Sequence, residues 1–170
     1  NPIRDKEIID IELQLKDLET VENRIKRVEK QARVGGDKQA KLEYDVLTRY
    51  KETLEAGKSA RTVVFDTEDE QIIAKNLFLL TSKPVLYVCN VDEASAANGN
   101  KYVDSVREAI KDENAELLII SAQTEADIAE MDYEDKIMFL KDMGLEQSGL
   151  DRLINECYTL LGLISFLTAG

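Results

Sequence analysis

Two short polar stretches contain the residues whose types and spacing best suit chemistry. Residues 90–93 follow the apolar run 85–89, and Ser121-Ala122 follows the apolar run 117–120. Both runs are rich in branched side chains, which is typical of strands that are covered on both faces of a sheet. In an open α/β sheet, ligands bind beyond the carboxyl ends of the strands. We therefore predict a ligand site where these two stretches meet.

Each of these residues also has an ordinary structural role. Asn90 at the end of a strand is a common turn former, and Glu93 is placed where solvated loop acids are frequent. Ser121 has the residue type and position of a helix N-cap, a role that can coexist with ligand contact.

Composition excludes several classes of enzyme. The 170 residues contain no histidine, so Ser–His and Cys–His hydrolases are excluded, and the commonest zinc ligand is missing. The eight glycines do not form the phosphate-binding pattern G-x-x-x-x-G-K-[ST], so no phosphate cradle is predicted in this chain. Cys89 and Cys157 are predicted to be packing residues, and two cysteines favour a reducing cytosol over a disulfide framework. An acidic cluster is typical of a solvated helix start rather than of a metal site: Asp132, Glu134 and Asp135.

The net charge of −12 is unevenly distributed along the chain. Residues 24–41 contain a local excess of Lys and Arg, although the protein as a whole is acidic. Five of these residues are called the basic face below: Arg24, Arg27, Lys30, Arg33 and Lys38. Such an asymmetry indicates either a specialised contact surface or a solvated face.

The first 57 residues predict two amphipathic helices, together called the helical arm. Apolar residues recur at spacings of three and four from Ile8 to Ala32, and again from Ala40 to Leu54. Two glycines at 35–36 separate the stripes, and Gly57 is placed to end the second helix. Because both stripes are narrow, we predict that they bury each other in an antiparallel coiled-coil hairpin with the basic face at its tip.

Residues 58–170 predict an α/β domain. Thr67 and Glu70 have the spacing of a capping box, and an amphipathic helix over 102–110 lies between the two predicted strands, as in a βαβ unit. Further helices are predicted around 133–143 and 150–161, and a last strand around 163–167. Two or three parallel strands do not complete a doubly wound sheet, so we expect the sequence to be part of a longer protein. No secretory signal or membrane span is predicted.

Several segments together resemble the Obg-like ATPase family, the YchF or EngD subfamily of P-loop GTPase-like proteins. These segments are NPIRD at the start, LTSKPVLYVCNVDE at 80–93, Ser121-Ala122, SGLDRL at 148–153 and LGLISFLTAG at 161–170. Their combination covers essentially the whole chain and is far more specific than any single tetrapeptide. The resemblance implies that residues 58–170 are the C-terminal part of a P-loop NTPase-type parallel sheet domain, into which the arm at 1–57 is inserted. The P-loop half and the C-terminal TGS domain of that family have no counterpart in this sequence.

The resemblance also implies roles for the two polar stretches. Asn90, Val91 and Glu93 correspond to the base-reading motif Asn-x-x-Glu, where ordinary GTPases have Asn-Lys-x-Asp, and Ser121-Ala122 corresponds to a second base-contacting loop. An Asn carboxamide can pair with N6 and N7 of adenine. The Glu93 side chain is one methylene longer than the usual Asp, so its carboxylate would not lie where that Asp pairs with guanine. The implied cofactor is ATP or GTP, with Mg²⁺ expected only in the intact protein.

The family resemblance implies a cytoplasmic hydrolase of ATP or GTP that associates with the ribosome or RNA in its intact form. The chain alone is expected to be inactive because it lacks the P-loop. Two alternatives remain open: an interaction module that acts through the coiled-coil arm without catalysis, and a plain acidic α/β domain without a ligand. The oligomeric state also stays open.

Overall fold

The computed structural model describes residues 1–34, 37–113 and 115–167. They form two compact units, one spanning Arg4–Lys83 and the other comprising Asn1–Ile3 and Pro84–Gly170. We call the first the helical unit and the second the α/β unit. The predicted glycine break at 35–36 lies outside the described residues, as do the last three residues of the 161–170 segment.

Two helices occupy most of the helical unit, as predicted. Helix α1 spans Pro2–Val34 and helix α2 spans Lys38–Glu55. The Asp37 side chain accepts hydrogen bonds from the backbone N–H groups of Gln39 and Ala40, which otherwise have no partner in the first turn of α2. Gly57 follows the C-cap with φ +70°, which confirms its predicted place at the end of this helix.

The apolar core of the helical unit lies between α2 and the second half of α1. Val21 and Val28 of α1 belong to one buried cluster with the α2 residues Val46, Leu47, Tyr50 and Leu54. The Tyr50 ring meets Phe65 edge-on, with 5.2 Å between the ring centroids. Ion pairs also connect the two helices, joining Arg24 to Glu43 and Lys51 to Glu22.

The apolar stripe of α1 is not buried along its whole length, contrary to the prediction. Ile8, Ile11 and Leu15 are exposed, and Leu15 retains 60% of its accessible surface. The reason is length, because α1 has 33 residues and α2 has 18, so α2 cannot cover the first half of α1. Two polar side chains are buried in that half instead, Gln14 and Asp17.

Asp17 connects α1 to a 3-10 turn that spans Leu80–Ser82. Its carboxylate accepts hydrogen bonds from the N–H of Leu80, the N–H of Thr81 and the hydroxyl of Thr81, each at 2.7 Å. The same Thr81 hydroxyl accepts a hydrogen bond from Ala60 N at 2.9 Å. Asp17 is 2% exposed, so these donors replace the water that a buried carboxylate would otherwise lack.

Helix α3, spanning Glu68–Asn76, begins with the predicted capping box. The Thr67 hydroxyl accepts from Glu70 N at 3.3 Å, and the Glu70 carboxylate accepts from Thr67 N at 3.1 Å. This exchange satisfies two backbone donors at the start of the helix and confirms the prediction.

The α/β unit contains the predicted βαβ arrangement. Strand β1 spans Leu86–Asn90, strand β2 spans Glu116–Ile120, and helix α4, spanning Lys101–Ile110, lies between them in sequence. The strands are parallel, with Leu86 opposite Glu116 and Asn90 opposite Ile120. The crossover therefore brings the carboxyl ends of both strands to one edge of the sheet.

Three more helices complete the described part of this unit. They are α5 at Ala122–Ala129, α6 at Tyr133–Asp142 and α7 at Gly149–Leu160. The last two match the predicted helices, and α5 is the helix that Ser121 caps. Among all described residues, no helix is both long enough and apolar enough to cross a membrane.

Two predictions about the strands are wrong. The strands are not buried on both faces, since Val88 of β1 is 45% exposed. Residues 163–167 form no strand, and Leu163, Ile164, Phe166 and Leu167 are all exposed. The sheet of the described residues has only two strands, so it covers little surface and offers these apolar side chains no neighbouring strand.

Candidate functional site

The two predicted polar stretches meet at one edge of the sheet. Asn90 ends β1 opposite Ile120, which ends β2. The Asn90 Oδ1 atom accepts a hydrogen bond from Ala122 N at 3.0 Å, and Val91 N donates to Ile120 O at 2.9 Å. The parallel register thus joins segments that are about thirty residues apart in sequence into one surface.

The hydrogen bond from Ala122 fixes how the Asn90 carboxamide is presented. Because Ala122 N is a donor, the atom that faces it must be Oδ1, which leaves the Nδ2 group pointing away from this contact. Oδ1 keeps a second lone pair, and no described residue accepts from Nδ2. The exposed carboxamide of Asn90 can therefore donate two hydrogen bonds from Nδ2 and accept one more at Oδ1.

Ser121 is the buried residue that holds the second loop at this edge of the sheet. It is almost completely buried, and its Oγ accepts from Thr124 N at 3.3 Å as the N-cap of α5. The structural role of Ser121 is therefore realised, and its hydroxyl is too buried to face solvent. Ala122 is exposed directly beside it, so the backbone and the methyl group at 122 form the accessible part of this loop.

Glu93 lies farther along the loop and does not bond to Asn90 or Ser121 among the described residues. It begins a 3-10 turn, Glu93–Ser95, that Asp92 caps by accepting from Ser95 N at 2.9 Å. Asp92, Glu93 and Asp142 line one open cleft of about 500 Å³. Three carboxylates make this cleft unsuitable for a phosphate group and leave Glu93 available as an acceptor for a ligand N–H.

The start of α7 packs against the same edge. Glu125 of α5 accepts from Gly149 N at 2.6 Å and from Leu150 N at 3.2 Å, and Arg152 donates to Ile119 O at 2.8 Å. A Cβ atom at Gly149 would lie 2.8 Å from both the Glu125 carboxylate and the Ile120 side chain. Sequence reasoning singled out residues 148–153 by resemblance but missed Glu125, whose role depends on a partner 24 residues away.

Cys89 precedes Asn90 and is half-buried. Burial raises the pKa of the Cys89 thiol, and the charge of Arg107 opposes this only in part. The thiol is therefore protonated at neutral pH, which favours the predicted packing role over redox chemistry.

The basic face consists of paired and unpaired cations. Arg24 forms an ion pair with Glu43, and Arg33 forms one with Glu29 at 2.7 Å. Arg27, Lys30 and Lys38 are exposed and have no ion-pair partner among the residues that the structure describes. These three side chains can therefore neutralise an external anion without first breaking a contact.

Nowhere in the ranges 1–34, 37–113 and 115–167 do three or more His, Cys, Asp or Glu side chains form a group that could hold a metal ion.

Comparison with known proteins gives a consistent set of relatives. No family model matches the sequence. The chain is 49% identical over 172 residues to the ribosome-binding ATPase YchF of Bacillus subtilis and 42% identical over 170 residues to that of Escherichia coli O157:H7, covering 46% of each relative. It is 34% identical over 173 residues to Obg-like ATPase 1 of Caenorhabditis elegans, of which it covers 43%. All three alignments cover 100% of this chain.

A solved structure shows the same architecture. The whole chain superposes on 47% of the YchF GTPase of Schizosaccharomyces pombe with a TM-score of 0.89 and 28% sequence identity. The chain spans about half the length of the curated relatives that it matches. This chain therefore matches YchF and Obg-like ATPases along its entire length and has the fold of a YchF GTPase, over a little less than half of each relative.

Proposed function

We propose that this chain supplies the purine-binding loops and the helical arm of a ribosome-associated protein that hydrolyses ATP, and also GTP. The observation that carries the proposal is the hydrogen bond between Asn90 Oδ1 and Ala122 N, at the carboxyl edge of two parallel strands. The relatives named as ribosome-binding ATPases and as a GTPase support the same function. In this proposal residues 58–170 belong to the nucleotide-binding domain and residues 1–57 form its coiled-coil arm.

Asn90 is the main reader of the base in this proposal. Its Nδ2 group donates to N7 of the purine, and the second lone pair of Oδ1 accepts from the N6 amino group of adenine. Guanine presents an acceptor at that position, so it can satisfy only the N7 contact. Because Ala122 already orients the carboxamide, little further ordering is required on binding. Adenine should therefore bind at least as well as guanine.

The other predicted residues position the loops around the contact between Asn90 and the base, or add discrimination to it. Val91 is held by its hydrogen bond to Ile120 O, and Ser121 holds the start of α5, so Ala122 is fixed beside the carboxamide. Glu93 is assigned to discrimination, because a carboxylate repels N1 of adenine and can accept from N1 and N2 of guanine when it reaches them. Its additional methylene places the carboxylate differently from the Asp of ordinary GTPases.

A nucleotide titration tests the base site. In the intact protein, Asn90→Ala should weaken binding of ATP by roughly 5- to 150-fold, which corresponds to the loss of about 1–3 kcal/mol for a bidentate contact. Asn98→Ala is the matched control, since Asn98 is an exposed carboxamide in the loop that follows Glu93. ATP affinity that is equal in the two variants would refute the role of Asn90.

The second candidate function is an interaction module that acts through the arm without catalysis. The three unpaired cations of the basic face favour it, because contacts to several phosphates give an affinity that falls steeply with salt. Replacing the three unpaired cations Arg27, Lys30 and Lys38 by Glu should abolish association of the intact protein with ribosomes in co-sedimentation. If association persists at low salt after this change, the basic face is a solvated surface and not a contact surface.

A further inference from the structure

The first turn of α7 is held against α5 by the side chain of Glu125. Its two carboxylate oxygens accept hydrogen bonds from Gly149 N at 2.6 Å and from Leu150 N at 3.2 Å. These N–H groups lie in the first turn of α7, where no carbonyl of the helix itself can pair with them. A carboxylate also suits this end of a helix electrostatically. Glu125 therefore joins α5 to α7 and occupies the helix end where an external anion would otherwise bind.

Glu125 also belongs to the helical turn that begins with Ser121 and Ala122. Its backbone N–H donates to Ser121 O at 2.9 Å, and the Ser121 hydroxyl accepts from Thr124 N at 3.3 Å. Ala122, the residue after Ser121, donates to Asn90 Oδ1 at 3.0 Å. A continuous series of hydrogen bonds therefore runs from the start of α7, through Glu125 and this turn, to the Asn90 carboxamide.

Arg152 makes a second connection between α7 and this edge of the sheet. Its Nη2 atom donates to Ile119 O at 2.8 Å. Neighbouring carbonyls of a strand point to opposite sides, and Ile120 O already accepts from Val91 N, which follows β1. Ile119 O therefore points away from β1. Arg152 covers the side of β2 that has no neighbouring strand among the described residues.

Close packing leaves little room for this junction to shift. Gly149 is buried, and a Cβ atom there would lie 2.8 Å from Glu125 Oε1 and 2.8 Å from the Ile120 side chain. There is thus no space for even a methyl group between the start of α7, the last residue of β2 and the carboxylate that bridges to α5. Interiors packed this closely transmit a displacement instead of absorbing it.

We propose that Glu125 and Arg152 are positioning residues of the base site. They hold the loop that begins at Ser121 so that Ala122 N stays where it orients the Asn90 carboxamide. Both side chains act through this loop and not by contact with the base. This role rests on the proposed nucleotide function, and it identifies the contacts that build the base site before the nucleotide binds.

Calorimetric titration of the intact protein tests the proposal, with ATP as the probe that carries a base and inorganic tripolyphosphate as the probe without one. Glu125→Gln keeps the size of the side chain but removes one of its two acceptor oxygens. It should weaken ATP binding at least about fivefold, the lower end of the loss expected for the Asn90 contact, and leave tripolyphosphate binding within about twofold. Glu130→Gln makes the same change at an exposed acid directly after α5, and it should alter neither affinity.

Arg152 has its own pair of variants. Arg152→Ala removes the donor to Ile119 O and should weaken ATP binding in the same selective way. Arg152→Lys keeps a donor on a long side chain and should recover part of the ATP affinity. The double variant of Asn90→Ala with Glu125→Gln should bind ATP within about twofold of Asn90→Ala alone, because a residue that acts through the carboxamide has no effect once the carboxamide is gone.

The outcomes separate the positioning role from the proposed base site. If Asn90→Ala weakens ATP binding but Glu125→Gln and Arg152→Ala do not, the base site stands and the positioning role is overturned. If these two variants weaken ATP and tripolyphosphate binding equally, both residues support the fold in general, and the positioning role is overturned as well. If Asn90→Ala leaves the ATP affinity unchanged, the proposed base site is wrong and the positioning role fails with it.

Discussion

Replacing Asp17 by Ala should destabilise the helical unit more than any other single change to a polar side chain of α1. The Asp17 carboxylate connects α1 to the turn at Leu80–Ser82 through three hydrogen bonds of 2.7 Å. Alanine removes all three acceptor contacts at once. The N–H groups of Leu80 and Thr81 and the Thr81 hydroxyl then lose their partner in a region where Asp17 itself is 2% exposed.

The expected loss is about 3–5 kcal/mol. Hydrogen bonds to a charged acceptor contribute about 1.5–3 kcal/mol each, and they share one carboxylate, so their contributions do not add fully. Leaving buried donors without a partner accounts for most of the cost. A unit of this size responds with a fall in melting temperature of more than about 12 °C. Asp17→Asn should also destabilise, because one amide nitrogen then faces the Thr81 N–H.

Urea unfolding monitored by circular dichroism measures the change, with the slope checked for two-state behaviour. Glu12→Ala is the matched control, since Glu12 is an exposed acid on the same helix and its loss should stay within about 0.5 kcal/mol. Thr81→Ser keeps the hydroxyl and should be tolerated far better than Thr81→Val. If the free energies of unfolding of Asp17→Ala and Glu12→Ala differ by less than about 1 kcal/mol, the reasoning about the buried carboxylate is refuted.

Four further outcomes are expected. Hydrogen bonds from the Thr67 hydroxyl and then from the Thr67 backbone N–H lower the pKa of Glu70 in the folded state. The stability that this carboxylate contributes is therefore complete above its unfolded pKa of about 4.3 and is lost as the pH falls through its lower folded pKa. Urea midpoints measured from pH 7 to 3 should show this loss, and Glu70→Gln should remove it. Gly149→Ala should cost about 1–3 kcal/mol in thermal unfolding, because its Cβ would lie 2.8 Å from the Glu125 carboxylate. The purified 170-residue chain should release no measurable phosphate from ATP, since its sequence has no G-x-x-x-x-G-K-[ST]. Glu93→Asp should shift the ratio of ATP to GTP affinity toward GTP in a competitive titration.

Each of these outcomes has a control. Glu68→Gln changes an acid in the same helical turn as Glu70 and should leave the acid-induced loss in place. Gly144→Ala creates no close contact but adds strain at φ +72°, whereas Gly149 has no positive φ, so a Gly149→Ala variant as stable as the parent would refute the Cβ clash. ATP hydrolysis that co-purifies with the chain would contradict the conclusion that the missing P-loop leaves it inactive. An unchanged nucleotide ratio in Glu93→Asp would exclude Glu93 from base selection.

Local features of this protein follow from its sequence. The capping box of Thr67 and Glu70, the glycine at the end of α2 and the N-cap at Ser121 all occur where residue type and spacing predict them. The βαβ unit follows equally well, because two apolar runs separated by one amphipathic helix allow few other arrangements. These features depend on contacts within about four residues or on hydrophobic periodicity, so a single sequence contains the information they need.

Burial was harder to predict, because it depends on what lies opposite an element. The stripe at Ile8, Ile11 and Leu15 has the same periodicity as the buried Val21 and Val28, yet only the latter face α2. Residues 163–167 have the composition of a strand, but β-structure requires a partner with free backbone groups, and none of the described strands pairs there. Periodicity therefore identifies which side of an element is apolar without saying whether that side is covered.

The candidate site shows the same division. Residue types and strand ends alone indicated that Asn90 and Ser121-Ala122 lie at one edge of a sheet. The structure was needed to show that Ala122 fixes Asn90 Oδ1, that Ser121 is buried, and that Glu93 lies apart among acids. Asp17 and its partners near Thr81 are 64 residues apart, and no local pattern marks an acid that will be buried by such a distant backbone. Local sequence therefore specifies the elements and their polar ends, whereas the contribution of each side chain to stability depends on neighbours that only folding brings into contact.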